Sequence, residues 1–328
     1  MSKIWENGIV TTSQNDLETL SFKVSKVSHE WSRYGLAEAN LVFGSEGNFR
    51  ESPYKAICKM NGKADPIAIV SQDYTLLPNE FVKEKADSIT PNYGLSLYET
   101  EGMTQSHYSK TGNAMFLYYF PKDEHNGSAF EKQIVPGDNI KLGIHVRNSI
   151  DGTTGLGVDS FSYRGLCGNG SIQQRKDAIN FYHKHTQGLK EIIPTLKNLI
   201  ENALAEGEYT VMYYRKLAGI TLSQEIADAI SSTYIPKKYL PWDMSEIKTT
   251  LPNGEVTTSE IANLKTLSLN NNWTRQDITH LTDSNMWSVY NHMTGAIWNN
   301  DKTNPQSKAL VFSALSSVMQ SKIPLVVR

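Results

Sequence analysis

The chain has 328 residues, 39% of them apolar and 20% charged, with a formal net charge of −2. That length can bury a large core in one or two domains, and the near-neutral charge excludes a whole-molecule field that would draw in nucleic acid or an anionic membrane. No run of about 18 apolar residues occurs, so no membrane-spanning helix is expected, and two cysteines, Cys58 and Cys167, are too few for a disulfide framework or a cysteine-rich zinc site, which points to a reducing, cytoplasmic setting.

Taken in chain order, the first 50 residues read as an N-terminal arm or irregular segment. Only Phe22, Val24 and Val27 alternate there, and nothing in it has the form of a secretory signal. From Tyr54 the pattern sharpens to a strand, a turn at Asn61-Gly62, a second strand, and Pro78-Asn79 opening a helix with Phe81, Ala86 and Ile89 inward. "YGLSLYET" and "AMFLYYFP" read as two more strands. The clearest hairpin is 138–164: Ile140, Leu142, Ile144 and Val146 alternate on one strand, 148–152 turn the chain, and Leu156 and Val158 return.

After Gly170 the period changes from two to 3.6. Leu189, Ile192, Ile193, Leu196, Leu199, Ile200, Ala203 and Leu204 form a helical stripe, with Pro194 as a kink or first-turn residue and Gly207 as its end. Further short helices are expected at "SQEIADAISSTYI" and "TTSEIANLKTLSL", with 245–256 as a turn-rich insertion. Met286, Tyr290, Met293 and Ile297 share one face of a later helix, and Asn304-Pro305 caps the last one. The fold class is therefore α+β. An antiparallel β-sheet core with one helix spans 51–170 in the N-terminal half, packed against a mostly helical part, 171–328. The two parts form one continuous domain or two.

Candidate chemistry centres on "SYRGLCGNGS", 162–171. Cys167 as a nucleophile would need a base and an electropositive setting that the sequence does not supply. The glycines lack the Lys-Ser/Thr of a nucleotide-triphosphate loop. Gly168, Asn169 and Gly170 read first as a turn needing positive φ, with Arg164 beside it able to clamp carbonyls or face an anion. Downstream, Arg175, Lys176, Lys184 and Lys190 stand against Asp177 alone, interleaved with Phe181 and Tyr182. Such a mixture grips single-stranded nucleic acid, cations tracking phosphates and aromatics stacking bases; the alternative is a solvated helix face with core aromatics. His183-Lys184-His185 lacks a carboxylate partner, so no metal site is expected, and neither catalytic residues nor a cofactor are assigned.

"VRNSIDGTTGLGVDSFSYRGLCGNG" (146–170) resembles the signature of phage- and plasmid-like proteins grouped as domain of unknown function 932, through Arg147, Asn148, Ser149, Asp151, Gly152, Arg164, Cys167, Asn169 and Gly170. "MWSVYNHMTGAIWNN" (286–300) and "SQDYTLLPNEFVKEKAD" (71–87) are similar to flanking segments of that family, so the resemblance covers most of 50–320 in order. It implies a mobile-element context near replication or recombination, with no assigned activity. The outline is similar to single-strand annealing proteins, by fold-level analogy. The reading is a protein that holds single-stranded DNA in a basic groove at the sheet–helix junction, as a homo-oligomer. Arg147, Arg164, Arg175, Lys176 and Lys184 are expected on phosphates, and Tyr163, Phe181 and Tyr182 on bases. Alternatives are a metal-dependent nuclease or nucleotide-modifying enzyme, and a virion or host-interaction protein.

Overall fold

The structure, a computed structural model, describes residues 4–6, 9–11, 21–28, 31–45, 48–60, 64–97, 108–109, 111–121, 131–164, 169–173, 182–183, 192–233, 235–269, 285–300, 303 and 305–324. Among these residues the strands form three antiparallel sheets, joined by five α-helices.

The first sheet is a meander whose spatial order equals its sequence order: β1 (Ile4–Glu6), β2 (Ile9–Thr11), β3 (Ser21–Ser28), β4 (Leu36–Ser45), β5 (Asn48–Met60) and β6 (Ala64–Ser71). Residues 1–50, expected as an arm or irregular segment, thus contribute most of a sheet. The alternation of Phe22, Val24 and Val27 is a strand signal, blurred by register shifts between Val24 and Lys26 and between Asn40 and Val42. Ala39, Leu41, Ala56 and Cys58 pack into a small core on this sheet. The Cys58 thiol is pushed up to about 11 by burial and by Asp65, so it is a core residue and not a nucleophile.

Helix α1 (Asn79–Ile89) leads into β7 (Leu95–Leu97) and β8 (Ala114–Pro121). They are followed by β9 (Glu131–Val135), β10 (Asp138–Ser149), β11 (Leu156–Arg164), β12 (Asn169–Gln173) and β13 (Tyr182–His183). The second sheet runs β12-β11-β10-β8-β7, with β9 also on β10 and β13 also on β11. The β10–β11 pairing is the hairpin expected from alternation, and Gly152 turns it with a φ of +76°, a conformation that L side chains rarely adopt. Ile150 in that turn joins the core of Leu36, Ile57, Val70 and Tyr74, so the hairpin tip ties the two sheets together.

Helix α2 (Ile192–Ala218) continues eleven residues past Gly207. Gly207 does not end it: a Cβ there would stand 3.1 Å from Leu142 Cδ1, so the glycine lets the helix lie close on β10. The stripe of Leu196, Leu199, Ile200 and Ala203 packs with α1 residues on Ile144, Val146, Val158, Leu117 and Tyr119. Gly143, on the opposite face of β10, has no room for a side chain, because a Cβ would run into the Tyr119 carbonyl.

Helix α3 (Gln224–Ser231) is capped by Ser223 Oγ, which accepts from the Ile226 N–H at 3.3 Å. The stretch expected as a further helix and a turn-rich insertion is instead a two-stranded ribbon, β14 (Asp243–Thr250) and β15 (Val256–Asn263). Its run of Thr and Ile favours the extended backbone, and Gly254 at φ +85° supplies the turn. Helix α4 (Met286–Trp298) buries the expected face of Met286, Tyr290, Met293 and Ile297, and α5 (Pro305–Lys322) begins at the expected proline. Helix α4 crosses the β12 edge. Trp287 at its start reaches Asp138, while Trp298 at its end packs on Tyr118 and Phe161 on the other face of the sheet.

Candidate nucleic-acid interface

The hairpin carries two buried charge clusters, one on each face. On the α2 face, Asp138 is fully buried. Its Oδ1 accepts from Arg164 Nε at 2.5 Å and its Oδ2 from Trp287 Nε1 at 2.6 Å. Arg164 is 2% exposed and its guanidinium also lies 5.9 Å from the Trp287 ring. Arg164 therefore joins β11 to β10 and α4, where desolvation and a carboxylate hold it, rather than facing an anion in solvent.

On the other face, the hairpin register sets His145 opposite Asp159 and Arg147 opposite Gly157. Arg147 Nε donates to Asp159 Oδ2 at 2.9 Å and Nη1 to Thr154 Oγ1 at 3.2 Å. Gly157 makes room for this: a Cβ there would fall 2.7 Å from Arg147 Cζ. His145 Nδ1 lies 3.4 Å from the same Asp159 oxygen, and the ring stacks on Tyr118 at 4.9 Å and on Phe116 at 5.9 Å.

Burial lowers the His145 pKa against the opposing pull of Asp159, so the ring is neutral at neutral pH. Burial alone would raise the Asp159 carboxyl, but Arg147 and His145 outweigh it and hold it well below the usual carboxylate range. A neutral His145 that donates from Nδ1 keeps a bare lone pair on Nε2, which has no hydrogen-bond partner among the described residues.

Asn148, Ser149 and Asp151 of the signature are structural as well. Asn148 Nδ2 donates to the Leu77 carbonyl and to Asn79 Oδ1, both at 2.9 Å, pinning the start of α1 to the hairpin. Ser149 Oγ donates to the Thr154 carbonyl at 2.6 Å and accepts from its N–H at 2.9 Å, closing the turn. Asp151 Oδ1 accepts from the Thr153 N–H and hydroxyl.

Of the expected contact residues, Arg147 and Arg164 lie on opposite faces of the sheet, so they do not share a groove. Tyr163 is on the Arg147 face, half-buried against Phe120 at 5.9 Å, but six residues along the hairpin, about 20 Å away. Tyr182 lies one strand beyond Gly157 from Arg147: β13 pairs with β11 as Gly157↔Tyr182, so Arg147, Gly157 and Tyr182 occupy one cross-strand row of the backbone. Arg175, Lys176, Phe181 and Lys184 lie outside the described residues, as do Cys167 and His185. The described residues that flank 174–181 both pair with one strand. Gln173 at the end of β12 pairs with Ser160 of β11, and Tyr182 at the start of β13 pairs with Gly157 of the same strand.

Sequence reasoning missed Asp138 and His145, and it placed Asp159 only among strand carboxylates without a defined spacing. The last two had a usable signal, because each is seven residues from the Gly152 turn and must therefore face the other across the hairpin. Among the described residues no group of three or more His, Cys, Asp or Glu side chains could hold a metal ion. No helix among them is long and apolar enough to cross a membrane.

No curated protein and no solved structure matches the chain. A family model, the domain of unknown function DUF932, matches residues 66–316, which takes in α1, the whole β10–β11 hairpin, the ribbon and α4. The chain accordingly belongs to the DUF932 family.

Proposed function

We propose that this chain binds single-stranded DNA at the β12–β13 edge of the second sheet, as a homo-oligomeric, cytoplasmic protein of a phage, virus or plasmid acting in replication or recombination. The observation that supports this reading is that Gln173 and Tyr182, the residues flanking 174–181, both pair with β11. Arg175, Lys176 and Phe181 stand in sequence between those two points, a mixture of cations and an aromatic suited to phosphates and bases. Tyr182 and Lys184 follow directly in sequence, while Tyr163, half-buried on Phe120, lies further along the hairpin. Arg164 takes no part in contact and instead positions β11. With a net charge of −2, affinity has to come from this local cluster.

The test is fluorescence anisotropy with labelled single-stranded and duplex DNA of equal length across a salt series. The single strand is expected to bind more tightly. The Arg175→Ala/Lys176→Ala variant is expected to flatten the slope of log K against log salt by about 1.4, two phosphates at about 0.7 each. An unchanged slope would turn the cluster into a solvated face.

The enzyme reading draws on one observation, the partnerless Nε2 of His145 backed by Asp159. Its test is cleavage of labelled DNA with magnesium or manganese. Cleavage that chelator abolishes, and that His145→Asn removes without lowering the unfolding midpoint, would favour it over simple binding.

A further inference from the structure

The β14–β15 ribbon is an exposed structure with an unmatched charge. Its root is fixed: the Ala262 N–H donates to Asp228 Oδ1 and its carbonyl accepts from Gln224 Nε2, both at 2.8 Å, and the Asp243 N–H donates to Thr266 Oγ1 at 2.8 Å. From Glu246 to Thr250, β14 is exposed along its whole length, and it pairs with β15 over eight residues without a bulge. Two-stranded ribbons are marginal alone; a third strand makes them stable. The α3 side chains occupy the backbone of β15 at Ala262, near the root, while β14 is exposed from Glu246 to Thr250, so the charges along β14 decide what its edge accepts.

The charges say what fits that edge. Glu246 lies directly opposite Glu260, a repulsive cross-strand pair. Glu260 is neutralised by Lys237 at 2.5 Å. Among the described residues no cation pairs with Glu246 and no anion with Lys248, two positions further along the same face. A strand with Glu and Lys flanking a central residue is complementary to its own reverse. If β14 pairs antiparallel with a second β14 about Ile247, each Glu246 faces the other copy's Lys248, and the two Ile247 side chains, 38% exposed in one copy, cover each other. The charged face then reads cation, carboxylate, carboxylate, cation across the row from Lys248 of the second copy to Lys237.

We propose that two copies of this chain associate by this two-fold edge pairing, which merges the ribbons into a four-stranded antiparallel sheet. The inference gives the self-association in the DNA-binding reading a surface. It requires no DNA, so it can fail while DNA binding by a monomer survives.

The test is sedimentation velocity on the full chain, without DNA, over a concentration series. The parent protein is expected to dimerise. Glu246→Lys and Lys248→Glu, which set like charges opposite each other twice per dimer, are each expected to weaken association by about tenfold or more. An equimolar mixture of the two variants restores it, because the doubly cationic edge then meets the doubly anionic one. Under mild oxidation Ile247→Cys is expected to give a disulfide-linked dimer and Thr249→Cys is not, since the pairing sets Thr249 opposite Ser245. A monomeric parent protein, a dimer insensitive to both charge variants, no recovery on mixing, or cross-linking at 249 in place of 247 would each overturn the proposal.

Discussion

Asp138→Ala is expected to destabilise the protein by about 3–5 kcal/mol, enough to unfold a domain of ordinary stability. The carboxylate is fully buried and satisfies two donors from distant parts of the chain, Arg164 on the neighbouring strand and Trp287 at the start of α4. Removing it leaves a guanidinium that is 2% exposed without its counter-charge, and the penalty is the desolvation of that cation more than the loss of an attraction. The physics predicts a specific rescue. Asp138→Ala combined with Arg164→Met replaces the pair by apolar volume and is expected to recover a large part of the loss, whereas Asp138→Ala combined with Arg164→Lys, which keeps a buried cation without a counter-charge, is not. Urea unfolding followed by tryptophan emission gives both readouts, because Trp287 loses its acceptor in the single variant. A midpoint unmoved by Asp138→Ala would show that the pair is not holding the sheet to α4.

Asp159→Ala is expected to cost a similar amount, since it strands Arg147 and His145 together, and the same cluster makes the fold acid-sensitive in two stages. The folded His145 pKa lies below its unfolded value of about 6.5. Over that interval the unfolded chain binds more protons, so stability is full above about pH 6.5 and falls as pH drops toward the folded value. The folded Asp159 pKa is also depressed, so its contribution is full above the unfolded value of about 3.9 and is lost as pH falls further. Both stages run in the same direction. His145→Asn keeps a donor for Asp159 but does not titrate, and it is expected to shrink the first stage to the share of His292, whose pKa burial also lowers, and to leave the second. Thermal unfolding between pH 7 and pH 3 separates them; a parent protein equally stable at pH 7 and pH 5 would contradict the first.

Periodicity revealed those elements whose two sides see different environments. The hairpin strands, α1 and α4 each carry a stripe or an alternation facing one core, and each lies where its pattern places it, while α5 begins at the proline expected to open it. Residues 256–263 misled because "SEIANL" has helical residues while 256–260 lie on the outer part of a ribbon exposed on both faces, where no burial pattern distinguishes the two periods. Gly207 misled because a glycine that ends a helix and one that lets a helix approach a strand look alike in sequence; only Leu142, 65 residues away, tells them apart. Arg164 read as an anion contact because its partner, 26 residues upstream, has an unremarkable sequence context. The DUF932 signature was legible as a pattern, but its arginines, asparagine and glycine turn out to build the hairpin.

The bond between Asp138 and Trp287 joins residues 149 apart, and this has a consequence for the order of events on the ribosome. The first sheet is a meander of sequence neighbours, so it can close strand by strand as it emerges. The β10–β11 hairpin follows and brings Arg164 to Asp138 at once. At synthesis rates of about 5–20 residues per second, Trp287 arrives on the order of ten seconds later. During that interval the carboxylate holds one of its two donors and α4 has yet to cross the β12 edge, leaving the aromatic surface of Tyr118 and Phe161 without Trp298. The nascent chain therefore passes through a stage with a formed sheet and an uncovered edge, and this is the stage at which a chaperone, or a premature partner, would engage it.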